Sequence, residues 1–185
     1  VRSSAASDVY KRQTCHMIAS VLSESGYKVG LFTSPFVVDF RERIQINGEM
    51  ISQENLAEII SEVKPVVEKL SKQGIEPTEF EIITITAFLY FLRQNCDIVV
   101  LEVGLGGLLD STNIIKKSEV SVITSISLDH TNILGDTLLK IAEHKCGIFK
   151  EGGNVVGYPQ PDFAVERFIK DKAKAVSYTH LRAHE

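Results

Sequence analysis

Apolar residues recur at helical spacing in the segment 14–27, where Met17, Ile18, Val21 and Leu22 fall on one face and Gly26 supplies a stop. The apolar run at 28–33 then reads as a short buried strand, broken by Ser34-Pro35. A loop holding Asp39, Arg41, Glu42 and Arg43 leads to a strand at Ile44-Gln45-Ile46, with Asn47-Gly48 as a turn. The pattern predicts a helix over about 52–73 and another after Thr78, which is placed to cap it while Phe80, Ile83, Ala87, Tyr90 and Phe91 share a face. Strands are predicted at 97–103, 119–127 and 154–158, with a helix over about 137–145. Strands alternating with helices imply an α/β fold: a mainly parallel sheet flanked by helices on both faces.

Both ends break this pattern. Residues 1–13 (VRSSAASDVYKRQ) lack apolar periodicity, and the tail 176–185 (VSYTHLRAHE) follows a helix that stops short and holds two of the five histidines. Both stretches resemble translated adapter sequence of the kind found at the ends of assembled fragments. They are therefore read as a non-native leader and a non-native tail around a structured segment 14–175, and His180 and His184 carry no metal-site expectation.

Composition narrows the class. A chain of 185 residues with 44% hydrophobic content is long enough for one domain with a real core, and a mean hydropathy of +0.05 argues against disorder. A net charge of −4 gives no broad positive field, so no nucleic-acid partner is expected, although a local basic pocket for an anionic ligand is compatible with it. No apolar run reaches membrane-spanning length and no signal peptide opens the chain, which points to a cytoplasmic protein with no membrane partner. Cys15, Cys96 and Cys146 are far apart with no CxxC spacing, as expected of reduced thiols rather than a disulfide framework or a zinc site.

The stretch from Val99 to Asn113 carries the most chemical information. An apolar strand ends in Glu102 and runs into a turn built on Gly104, Gly106 and Gly107. In an open parallel sheet the ligand crevice lies beyond the carboxyl ends of the strands, so Glu102 is expected to face a phosphate or metal. The next predicted strand ends in Leu128-Asp129-His130 and repeats the arrangement. The two ends are expected to converge, with the Glu102 carboxylate and a neutral His130 imidazole as ligands to one divalent cation; magnesium takes few protein ligands and fills its shell with water and phosphate oxygens. By itself His130 reads as a surface or capping residue, and only its pairing with Glu102 points to a ligand. Lys145, just before Gly147, is either a cation settling the negative end of a helix or an inward amine that takes up carbon dioxide as a metal-binding carbamate. Ser34 either starts a turn before proline or reaches the same crevice with its hydroxyl. Thr78, Phe80 and Glu81 offer an aromatic face and a carboxylate to a flat heterocycle, while Phe80 also opens a plain core stripe. The GxGG turn, with no Lys-Ser or Lys-Thr after it, is a weak phosphate signal.

Together the blocks FTSPFVVDFRERIQING, PTEFEIITITAF, LEVGLGGLLDSTN, SISLDHTNILGDT and IAEHKCGIFK resemble, in order and spacing, the folylpolyglutamate synthase and dihydrofolate synthase family, a branch of the Mur-type ATP-dependent ligases. The resemblance covers 14–175 and implies a partial central ligase domain of P-loop NTPase-like type. It implies that Ser34, Glu102 and His130 correspond to magnesium ligands and Lys145 to a carbamylated lysine, with His130 and Lys145 in catalytic roles. It places Thr78, Phe80, Glu81, Leu108, Leu109 and Asp110 in the region that holds the pteroate part of the substrate. The reaction implied joins L-glutamate to dihydropteroate or folate through an acyl phosphate, with ATP as co-substrate and Mg2+ as cofactor, in a monomeric parent enzyme.

The chain also departs from the family pattern. Such ligases carry a glycine-rich P-loop ending in Gly-Lys-Gly-Ser or Gly-Lys-Gly-Thr just before the residues matching Thr14-Cys15, whereas this chain has Tyr10-Lys11-Arg12-Gln13. Lys11 is no substitute, because the cradle needs glycines to bring backbone N–H groups against phosphate. The first strand expected before that loop is also missing, Leu108 stands where many relatives have arginine, and the family's C-terminal domain does not follow. The chain is thus expected to be an interior fragment with negligible ATP-dependent activity. Two rival readings are a Mur-type ligase of another substrate, against which the SPF, ERIQING and EFE blocks argue, and a non-catalytic module that binds a nucleotide or pterin.

Overall fold

A computed structural model describes residues 2–176 and 180–182, and within it the chain forms two compact units, 12–102 and 1–11 with 103–185. His184 and the remainder of 183–185, like 177–179, lie outside the described residues.

Helix α1 runs from Arg2 to Glu24, so the helix expected from Thr14 begins a dozen residues earlier. Residues 2–13 continue that helix. The physical reason is local: no proline or glycine interrupts residues 2–24, and Ala, Lys, Arg and Gln are adequate helix formers without an apolar stripe.

In the unit 12–102, β1 (Val29–Phe32) is followed by a single 3-10 turn at Phe40–Arg43, β2 (Ile44–Ile46), β3 (Glu49–Met50), α2 (Gln53–Ser71), α3 (Glu79–Arg93) and β4 (Ile98–Leu101). The sheet order is β3-β2-β1-β4. β1 pairs with β4 in parallel, Phe32 opposite Leu101, whereas β1–β2 and β2–β3 are antiparallel. Two of the three pairings in this sheet are therefore antiparallel. Asn47 (φ 48°) and Gly48 (φ 83°) form a two-residue left-handed turn, which can join only antiparallel strands, and the β1–β2 link is too short for a crossover. β4 is an edge strand here, with Val99 38% exposed, rather than a fully buried one.

The core of this unit is the expected stripe of α3, with Ile83, Ala87, Tyr90 and Phe91 packed with Phe32, Ile44, Ile51, Ile59 and Val63, and Phe80 set against it. β1 lies so close to α3 that a side chain on Gly30 would sit 2.7 Å from the Phe91 ring.

In the other unit, a 3-10 turn at Ser111–Ile114 precedes β5 (Val120–Ile123), α4 (Thr131–Leu134), α5 (Leu138–Cys146), β6 (Asn154–Gly157), α6 (Phe163–Val176) and β7 (His180–Arg182). The strands form an all-parallel sheet in the order β5-β6-β7. β7 pairs Val155 with His180 and Gly157 with Arg182. Ile123, Ile126, Ile141, Ala142, Val155, Val165 and Ile169 build the core. Buried Gln160 ties its strand ends together: its Oε1 accepts from the Ile126 amide at 2.9 Å and its Nε2 donates to Thr124 O at 3.2 Å and Tyr158 O at 2.6 Å.

Candidate functional site

The parallel register of β1 and β4 determines what meets at their carboxyl ends. Phe32 lies opposite Leu101, and the Glu102 amide donates to Phe32 O at 2.9 Å. One residue further on, the Ser34 amide donates to Glu102 Oε2 at 3.0 Å. Two of the three residues expected to bind metal, Ser34 and Glu102, are therefore joined directly. Glu102 is 1% exposed, and a buried carboxylate persists as an anion only with compensating donors and positive charge. The Ser34 amide is one such donor. Positive charge comes from Arg12, whose Nε lies 3.8 Å from Glu102 Oε2, beyond hydrogen-bond reach, and whose guanidinium donates to Pro35 O. The carboxylate expected to face a crevice at 102 is instead buried, with the Ser34 amide and the Arg12 guanidinium beside it, and carboxylate oxygens are the hard donors a magnesium-type ion takes.

His130 and Lys145 belong to the other unit. His130 sits in the left-handed region (φ 49°, ψ 38°) at the start of α4, with its Nε2 3.7 Å from Asp129 Oδ1. Its side chain is exposed and makes no capping hydrogen bond, which agrees with the surface alternative and not the capping one. Lys145 is half-buried in the last turn of α5. Among the described residues, no group of three or more His, Cys, Asp or Glu side chains is arranged to hold a metal ion.

The glycine turn packs against the C-terminal end of α5. The Leu108 amide donates to His144 O at 2.8 Å, and a side chain on Gly107 would meet that same oxygen at 2.7 Å. The turn is organised from within by Asp110, which accepts from the Leu105 amide at 2.8 Å and from the Thr112 amide and hydroxyl at 3.0 and 2.6 Å. Asn113 clamps it by donating to Leu108 O at 3.0 Å and Gly147 O at 3.1 Å. Of the residues expected near a pteroate group, Leu109 is 86% exposed and Leu108 is 48% exposed, while the Asp110 carboxylate is committed to this turn.

Thr78, Phe80 and Glu81 open α3. Thr78 is the N-cap: its Oγ1 accepts from the Glu81 amide at 3.2 Å, and the Glu81 carboxylate accepts from the Thr78 amide at 2.7 Å. These hydrogen bonds hold the Glu81 carboxyl below its ordinary value. Phe80 is half-buried, its ring 5.9 Å from that of Phe32, which supports its core reading.

Sequence reasoning missed the organisation of the loop after Ser34. The Glu42 carboxylate collects three successive amides, those of Val37, Val38 and Asp39, at 2.8, 3.0 and 2.8 Å. Asp39 and Glu42 stand at capping-box spacing, which was the available signal. Arg43 is buried beneath this loop, its guanidinium 5.3 Å from the Phe36 ring and 5.4 Å from the Phe40 ring.

Residues 11–184 match the family model of the Mur ligase middle domain. A dihydrofolate synthase/folylpolyglutamate synthase of Bacillus subtilis is 49% identical over 148 residues, covering 79% of this chain and 34% of that protein. Among solved structures, a folylpolyglutamate synthase complex with AMPPCP and folate superposes with a TM-score of 0.83 at 42% identity, covering 89% of this chain and 40% of the other. E. coli FolC in complex with DHPP and ADP gives a TM-score of 0.81 at 34% identity, covering 93% and 39%. The chain spans about a third of the length of the curated relative it matches. With nearly its whole length matched by that model and its relatives named folylpolyglutamate and dihydrofolate synthases, this chain belongs to the Mur ligase family through its middle domain.

Proposed function

We propose that this chain is the central part of an ATP- and Mg2+-dependent ligase that joins L-glutamate to dihydropteroate or folate. The observation that carries this reading is the buried Glu102 carboxylate at the end of β4, held by the Ser34 amide, in a chain 49% identical to a synthase of that kind. In this reading Ser34 and Glu102 offer ligands to the cation, and by the family resemblance His130 and a carbamylated Lys145 have metal-binding roles, as Thr78, Phe80, Glu81, Leu108, Leu109 and Asp110 have pteroate-binding ones. Bound there, a divalent ion supplies charge neutralisation to the phosphoryl group in transfer. The chain's own part is positional. Ser34 and Glu102 fix an anionic oxygen edge at the strand ends, and the Asp110–Asn113 clamp fixes the turn on which the substrate lies. The substrate carboxylate attacks the terminal phosphate of ATP, ADP departs, and the amine of glutamate displaces phosphate from the acyl phosphate to form the amide. The ligands of the solved relatives, AMPPCP with folate and ADP with DHPP, support the substrate classes.

One observation favours a second reading for the 185-residue chain on its own, as a binding module without catalysis. Residues 10–13 lie inside α1, so their amides are spent on the helix rather than offered to phosphate, and Lys11 Nζ donates to Val103 O at 3.0 Å and Gly104 O at 3.3 Å. We therefore expect negligible ATP-dependent activity from the chain as given. The test is a chimera in which residues 14–175 replace the matching segment of the Bacillus subtilis relative. ATP-dependent transfer of labelled glutamate to dihydropteroate is expected, and its loss in the Glu102→Gln chimera. A chimera that folds and binds ATP but transfers no glutamate would refute the ligase reading.

A further inference from the structure

The segment after Ser34 is a closed loop whose shape its outward side chains cannot explain. Val37 and Val38, at its tip, are 73% and 85% exposed and contribute little packing. The loop is closed at its base, where the Thr33 amide donates to Arg43 O at 3.0 Å and Thr33 Oγ1 to Glu42 O at 3.3 Å. Inside it, one carboxylate replaces water for three consecutive amides. Charge-assisted bonds of this kind are roughly twice as strong as neutral ones, and three on one group act together. Asp39 braces the far side by accepting from the Arg41 amide at 2.9 Å and pairing with its guanidinium at 2.7 Å. Ser34 is the first residue of this loop, and its amide is the one that reaches Glu102.

We propose that Glu42 is the positioning residue for Ser34: by gathering the amides of residues 37–39 it keeps the loop closed and so holds Ser34 on the Glu102 carboxylate. The catalytic consequence rests on the cation reading of Ser34 and Glu102 given above, but the positioning itself does not. The two are separated by measuring amide hydrogen exchange and Mn2+ binding on the full 185-residue chain.

In the unmutated chain, native-state exchange at increasing urea should show Ser34, Val37, Val38 and Asp39 opening as one unit. In Glu42→Gln all four amides should exchange about tenfold faster, while Phe32 and Leu101 in the strand ladder are unchanged. Mn2+ affinity read by electron paramagnetic resonance should fall about tenfold at a temperature where both proteins are folded. Ser34 exchanging independently of residues 37–39 in the unmutated chain, or unaffected by Glu42→Gln, overturns the proposal. Should Glu42→Gln not fold, the urea series on the unmutated chain decides alone. An unmutated chain that binds no Mn2+ contradicts the cation reading, while the exchange data still decide the role of Glu42.

Discussion

At the scale of single residues, two positions show backbone and carboxylate chemistry overriding side-chain type. Gly107 is required by approach: any Cβ there meets His144 O at 2.7 Å and Lys145 O at 3.0 Å. Gly107→Ala should therefore cost on the order of 1–3 kcal/mol, seen as a lower urea midpoint at unchanged slope, and an unchanged midpoint would show that the turn yields. Glu42 makes a prediction about pH. Its carboxyl is held below the usual carboxylate range, first by the Asp39 amide and then by the Val37 amide. A carboxyl lowered in the folded state stabilises the fold above its unfolded value, and that contribution disappears as pH falls through the lower folded value. Urea midpoints measured through the acid range should therefore decline less steeply for Glu42→Gln than for the unmutated chain; parallel curves would argue against this linkage. Cys146, buried in the α5–α6 core with its thiol pushed up to about 12 by burial, should resist thiol reagents until the unit unfolds.

At the scale of elements, α3 was the most legible part of the sequence. Thr78 caps it as expected, and the Phe80-to-Phe91 stripe faces the core because helix periodicity and burial agree. Thr78→Ala should cost about 1 kcal/mol in denaturant unfolding, and no loss would mean that the cap is redundant with packing. The Asn47-Gly48 turn was legible too, but its consequence, antiparallel β2 and β3 within an α/β pattern, needed the sheet register. The start of the first helix was placed at Thr14 because 2–13 lack an apolar stripe, whereas 2–24 is helical throughout; 180–182 pairs with β6. Of the candidate site, the meeting of Ser34 with Glu102 was legible from the positions of two strand ends. The Asn113 clamp and the Gln160 hub were not, because polar groups that satisfy distant backbone leave no periodic trace, and the Glu42 amide cluster left only the Asp39/Glu42 capping-box spacing.

At the scale of the molecule, a Mur ligase middle domain carries a buried strand-end carboxylate, while residues 10–13, where the family resemblance implies a glycine loop, lie within an unbroken helix. Titration calorimetry should accordingly detect no tight binding of ATP-Mg by the 185-residue chain; tight binding would show that phosphate is held without a glycine cradle. The central claim, that the Ser34–Glu102 edge holds a divalent cation, is tested most directly by titrating Mn2+ into the unmutated chain and into Glu102→Gln, following free ion by electron paramagnetic resonance. One saturable site in the unmutated chain, lost in Glu102→Gln with the fold preserved, is the result predicted. Equal binding by both proteins, or none by the unmutated chain, would contradict it.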